Sequence, residues 1–196
     1  MNLTLLDRDQ LEAILLNPTA ESAQPLICSD NAVVAYLPVP ATARDGRLRH
    51  VLAAAHELLT RIAAEAIRSR SLIDSPTVMK DFLRVYFAGA ERETFVVVFL
   101  DASHRVIEVE ELFAGTLTQT SVYPREVVKR ALHFNAAAVC LSHVHPSSQT
   151  EPSRADEALT SALRQALSLI DVRVIDHIIV AANGSSLTSM AERGLL

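Results

Sequence analysis

Residues Thr94-Phe-Val-Val-Val-Phe-Leu100 form an unbroken run of β-branched and aromatic side chains. Successive residues of a strand face opposite sides of a sheet, so a strand that is apolar at every position needs cover on both faces. The run therefore predicts a buried central strand. Around it, apolar residues switch between a period of two and a period of three to four. Val51, Leu52, Ala55, Leu58, Leu59, Ile62 and Ala66 trace a long amphipathic helix from after Gly46 to about Arg70. A second helix is expected with Pro76 at its first position and Gly89 past its end. Asp101-Ala-Ser-His104 reads as a tight turn leading into the strand Arg105–Leu112, which makes a hairpin with the central run.

Pro124 opens a further helix reaching about Phe134, and Ala136–His145 reads as another buried strand, stopped by Pro146. A polar loop, residues 146–152, separates this strand from a helix marked by Leu159, Leu163, Ala166, Leu167 and Ile170. Val172–Ala181 reads as the last strand. Helices alternating with apolar strands predict an α/β or α+β sandwich, a mixed sheet flanked by helices. The N-terminal segment, residues 1–74, reads as mainly helical and accessory. It holds a short helix over Asp7–Leu16, several prolines, and one candidate strand, Ala32–Leu37.

Lys and Arg total 18 against 23 Asp and Glu, a net charge of −5, so no global field draws the chain onto phosphate backbones or anionic membranes. The small basic group Arg125, Lys129 and Arg130 reads as a solvated helix face. No run approaches the ~18 apolar residues of a membrane span, and residues 1–9 have neither a basic nor an apolar leader region, so the expected location is the cytoplasm. Cys28 and Cys140 offer no C-x-x-C pair, which argues against a disulfide framework and a thiolate zinc site, and Cys140 reads as a buried free thiol.

His143 and His145 lie two apart at the end of a predicted strand, so both imidazoles face one side. Asp156 follows after the Pro-bounded loop, in the first turn of the next helix, within reach of that strand end. Two imidazoles and one carboxylate suit a catalytic zinc, with the fourth tetrahedral position left to water, although H-x-H spacing on its own fits a satisfied surface or core pair better. The chemistry also needs a base, for which Glu93 is the candidate, and an oxyanion donor, for which Ser153 is the candidate. Ser153-Arg-Ala-Asp156 equally fits a helix capping box. Asp176-His177 reads first as sheet packing, with support of a metal site as the alternative. His56, His104 and His133 are expected on helix or turn surfaces.

The string His143-Val-His-Pro-Ser-Ser-Gln-Thr-Glu-Pro-Ser-Arg-Ala-Asp156 resembles the JAB/MPN metalloprotease pattern of H-x-H, seven residues, Ser, two residues, Asp. From about Ser75 to Leu196 the chain is similar to the RadC-like branch of that family. The likeness rests on Arg92–Asp101, Leu112–Leu117, Tyr123–Glu126, Leu141–Ser147, Asp176–Val180 and Ala191–Gly194. The resemblance implies a cytidine deaminase-like sandwich over 75–196 and a zinc-dependent peptidase or isopeptidase. It implies His143, His145 and Asp156 as ligands and Glu93 as the upstream glutamate. Two positions depart from the family pattern: Val144 stands where Asn is usual and Ser148 where Gly is usual. Members also carry an N-terminal helix-hairpin-helix region associated with DNA, whose Gly-containing hairpin residues 1–75 lack. The amphipathic stretch 48–69 is a candidate for homodimer contact. The competing expectation is a DNA-repair or mobile-element accessory protein that acts by binding.

Overall fold

The computed structural model describes residues 3–16, 43–68, 76–115, 122–147 and 149–196. The candidate strand Ala32–Leu37, Cys28 and Ser148 lie outside the described residues. The first strand, β1 (Thr94–Leu100), is buried at every position. Phe95, Val97 and Phe99 enter one apolar core, while Val96, Val98 and Leu100 enter another on the opposite face. The doubly apolar run has the two-sided cover that its composition requires.

A turn joins β1 to the antiparallel strand β2 (Val106–Ala114). Asp101 holds this turn, its Oδ1 accepting from Ser103 N at 2.8 Å and Arg105 N at 2.9 Å. His104 takes a left-handed backbone there, φ 58°. It does not lie on a turn surface as expected: its ring is buried, and Arg173 Nη2 donates to Nε2 at 3.1 Å.

The sheet has five strands in the order β2-β1-β3-β4-β5, with β3 (Ala138–His145), β4 (Arg173–Ala181) and β5 (Leu187–Ser189). β3 pairs antiparallel with β1 and parallel with β4, so the sheet is mixed. The fold is the expected α/β sandwich. Val172–Ala181 is not the last strand, because β5 pairs antiparallel with Ile178–Val180. Three residues, Leu-Thr-Ser, are too short to show a period in the sequence; partnership with β4 makes them a strand.

One face of the sheet is covered by α2 (Ala43–Arg68) and α3 (Pro76–Tyr86), through Ile67, Met79, Phe82 and Leu83. The long helix begins before Gly46, which sits within it. A Cβ there would meet nothing within 4 Å, so the glycine meets no steric demand at this position. Past α3, Gly89 has φ 77°, a conformation that favours glycine after a helix end. At the N-terminus, α1 (Arg8–Leu16) packs Leu11 on Ala53, Ala54 and Leu58 of α2, and Leu3 joins them. Leu48, Leu59 and Ile62 of α2 are exposed, whereas His56 is half-buried rather than on the surface.

The other face carries α4 (Pro124–His133) and α5 (Arg154–Ser168), through Val127, Ala131, Leu163 and Leu167. His133 is exposed, as expected. The basic group on α4 is neutralised locally: Arg130 pairs with Glu110 of β2, and Lys129 with Glu126. Alternation along β3 sends Val139, Leu141 and His143 to the α4/α5 side and Ala138, Cys140 and Val144 to the α2/α3 side. Cys140 is a buried free thiol, pushed well up by burial and then by Asp176. Val144, fully buried, adds apolar surface to the α2/α3 core from the position between the two histidines. No described helix is long and apolar enough to cross a membrane.

Candidate metal centre

β3 delivers His143 and His145 to the sheet's α5 side at its C-terminal end, where its parallel pairing with β4 also ends. Such strand ends are where open α/β sheets present side chains to ligands. The His143 and His145 Nε2 atoms lie 2.8 Å apart. Asp156 comes to them from the first turn of α5, with Oδ1 at 3.2 Å from His143 Nε2 and Oδ2 at 3.7 Å from His145 Nε2. One ligand atom from each of the three residues falls within 4.8 Å of the others.

Both ends of this arrangement are pinned. His145 Nδ1 lies 2.6 Å from the Gln149 carbonyl, which can only accept, so Nδ1 carries the proton and Nε2 turns a lone pair toward the cluster. Ser153 is the N-cap of α5 and forms a capping box with Asp156. Its backbone N donates to Asp156 Oδ2 at 2.7 Å and its hydroxyl at 2.6 Å. Two donors on Oδ2 leave Oδ1 for His143 and the cluster. Burial pushes the Asp156 carboxyl up, and the bonds and charge from His143 together with the Ser153 bonds outweigh it, holding the group well below the usual carboxylate range. The carboxylate is therefore anionic at neutral pH.

Held this close, the three groups need either shared protons or a cation among them. The spacing suits a metal ion, since zinc bonds of about 2.0–2.2 Å in a tetrahedron put donor atoms roughly 3.3–3.6 Å apart. The separations of 2.8, 3.2 and 3.7 Å straddle that range. The donor set is compatible with a metal site.

Glu93 sits immediately before β1, two residues from Phe95. Phe95 pairs in register with His143 and stacks on its ring at 6.4 Å. Glu93 thus enters at the same end of the sheet as the histidines, its carbonyl accepting from Gly115 N at 2.8 Å. Ser153 lies at the site, but its proton is directed at Asp156 rather than at open space.

Asp176 and His177 separate. Asp176 accepts from Ser189 Oγ at 2.6 Å and from Ala191 N at 3.0 Å, holding the C-terminal turn. His177 is fully buried on the same side of the sheet as His143, with Nε2 2.8 Å from His143 Nδ1. Asp176 packs against the C-terminal turn, whereas His177 lies beside His143. Thr160 of α5 reaches His177 Nδ1 at 2.6 Å, and sequence reasoning did not single it out. The signal was a threonine on the inner face of α5, four residues after Asp156.

A mixed sheet between two helical layers, carrying an H-x-H strand end and an aspartate from the next helix, defines the α/β JAB-like fold class. The family model of the RadC-like JAB domain matches residues 73–195, and the chain belongs to that family. It is 60% identical over 148 residues to a UPF0758 protein of Variovorax paradoxus (strain S110), covering 76% of this chain and 65% of the relative. It is 57% identical over 148 residues to a UPF0758 protein of Acidovorax sp. (strain JS42), covering 76% of this chain and 61% of that protein. It is 54% identical over 145 residues to a UPF0758 protein of Nitrosomonas eutropha, covering 74% of this chain and 64% of the relative. The chain thus spans somewhat less than two thirds of the length of these relatives.

Proposed function

We propose that the chain is a zinc-dependent metallohydrolase that cuts a peptide or isopeptide bond in a peptide or protein substrate. The observation that supports this most is the convergence of His143 Nε2, His145 Nε2 and the Asp156 carboxylate at the end of β3, with His145 and Asp156 held by bonds on their far sides. In this reading His143, His145 and Asp156 hold the ion. A bound zinc supplies polarisation of the scissile carbonyl and activation of water.

The chain's own residues handle the protons. Glu93 accepts the proton of the attacking water on its carboxylate and returns it to the leaving amine nitrogen. Ser153 first orients Asp156 through Oγ; turning that hydroxyl from Asp156 Oδ2 to the developing oxyanion makes it the donor for the carbonyl oxygen. Phe95, stacked on His143, excludes water from the inner side of the site.

Metal analysis of protein purified without chelator tests the reading, comparing the wild type with His143→Ala, Asp156→Ala and Glu93→Gln. The expected result is about one zinc per chain in the wild type and in Glu93→Gln, and none in the other two. A wild type that stays metal-free under zinc-replete conditions overturns the proposal.

A further inference from the structure

We infer that Thr160 and His177 form a hydrogen-bond relay that keeps the proton of His143 on Nδ1, so that Nε2 is the atom left for the ion. The inference rests on the metal-site reading of His143, His145 and Asp156, and adds two positioning residues to it.

The direction of every bond follows from one backbone carbonyl. Thr160 Oγ1 lies 2.6 Å from Asp156 O and 2.6 Å from His177 Nδ1. A carbonyl can only accept, so the single hydroxyl proton goes to Asp156 O. The hydroxyl oxygen then accepts, and His177 Nδ1 must carry a proton to donate to it. His177 is fully buried, and its two ring nitrogens face the Thr160 hydroxyl and the His143 ring rather than a carboxylate, so a charged ring there would be buried without an anionic partner and the ring is neutral. A neutral ring protonated on Nδ1 has a bare Nε2, and this faces His143 Nδ1 at 2.8 Å. His143 Nδ1 is therefore the donor in that bond. Reversing any step sets two acceptors or two donors against each other in a buried place.

The relay starts at the backbone of Asp156, passes through Thr160 and His177, and ends at His143 Nδ1; the bare Nε2 then stands 3.2 Å from Asp156 Oδ1, two acceptors that face the place of the ion together. A helix residue and a residue of β4 thereby set the ring orientation of a residue on β3, and the same helix supplies the carboxylate. Met190 Sδ, 3.6 Å from Thr160 Oγ1, fills the remaining side of the hydroxyl. His145 needs no such relay, because Gln149 O plays the equivalent part directly.

The test combines two readouts on the full chain: zinc affinity by competition with a chromophoric chelator, and the ring protonation of His143 by 15N–1H NMR of histidine-labelled protein with and without chelator. Thr160→Val keeps the shape and removes the hydroxyl, while Thr160→Ser and His177→Gln keep donor and acceptor. Thr160→Val is expected to weaken zinc binding by about 10- to 100-fold and to move the His143 proton from Nδ1 to Nε2. Thr160→Ser and His177→Gln are expected to stay near wild type in affinity. If Thr160→Val binds zinc like the wild type and His143 keeps its Nδ1 proton, the relay is refuted while the metal site stands. If the wild type binds no zinc, the metal-site reading fails, and the chelated NMR spectra still decide the relay. If Thr160→Val does not fold, an Nε2-protonated His143 in wild type, or loss of affinity in Thr160→Ser, overturns it.

Discussion

Replacing Asp156 with Asn separates the charge of the site from its shape. The carboxylate is buried and receives two hydrogen bonds on Oδ2 from Ser153, at 2.7 and 2.6 Å. An amide oxygen can still accept there, but neutral bonds contribute about 0.5–1.5 kcal/mol where bonds to a charged group contribute about 1.5–3. Each of the two bonds then weakens by about 1–1.5 kcal/mol, so the metal-free variant should lose about 2–3 kcal/mol. For a chain of this size that is a fall of roughly 4–12 °C in Tm. Zinc at a hundredfold excess over its dissociation constant should add about 2.7 kcal/mol to the wild type. The variant lacks the carboxylate of the three candidate ligands and, on the proposed reading, should gain far less. Thermal unfolding followed by circular dichroism at pH 7, with chelator and with zinc, reads both effects. An Asn variant whose Tm with chelator equals that of the wild type, and which rises equally with zinc, would refute the assignment of Asp156 as both helix cap and ligand.

Phe95→Ala and Phe82→Ala each empty a fully buried position, on opposite faces of the sheet, and each should cost about 3–5 kcal/mol in denaturant unfolding. Only Phe95→Ala should also weaken zinc binding in chelator competition, because Phe95 stacks on His143. In chelator, stability should fall with pH in two windows, measured as denaturant midpoints between pH 8 and pH 3. His177, His50 and His56 have folded pKa values lowered mainly by burial, so the unfolded chain takes up protons first and stability declines below about 6.5. Asp156, also lowered in the fold, contributes stability above the unfolded carboxylate value that is lost progressively below about pH 4. A flat midpoint from pH 8 to 5 would contradict the histidine part. Arg193→Ala removes the paired 2.7 Å bonds to Glu151 on the loop before α5. It should speed amide exchange at Glu151 and Ser153 while leaving global unfolding unchanged; unaltered exchange would show that the pair does not hold the loop.

Local pattern made β1, the hairpin, α4, β3 and α5 legible, because strand alternation and helical spacing are properties of adjacent residues. The places of His143, His145 and Asp156 at a strand end and a helix start were legible in the same way, while their reading as a ligand set rested on the resemblance of the whole His143–Asp156 string to the JAB/MPN pattern; Val144 faces the opposite core by strand alternation. What the sequence did not carry was partnership across the sheet. β5 exists because β4 pairs with it, His104 is buried because Arg173 arrives beside it, and Arg130 is neutralised because Glu110 lies across from α4. The joining of Thr160 and His177 to His143 belongs to the same class, since the β3/β4 register and the packing of α5 bring three distant segments within hydrogen-bond distance. The chain by itself determined which side chains could hold an ion and on which face of a strand they stand. Tertiary structure alone decided which buried neighbours orient them, because a hydrogen bond depends on position to a few tenths of an ångström, and only the packed sheet and helices set position that closely.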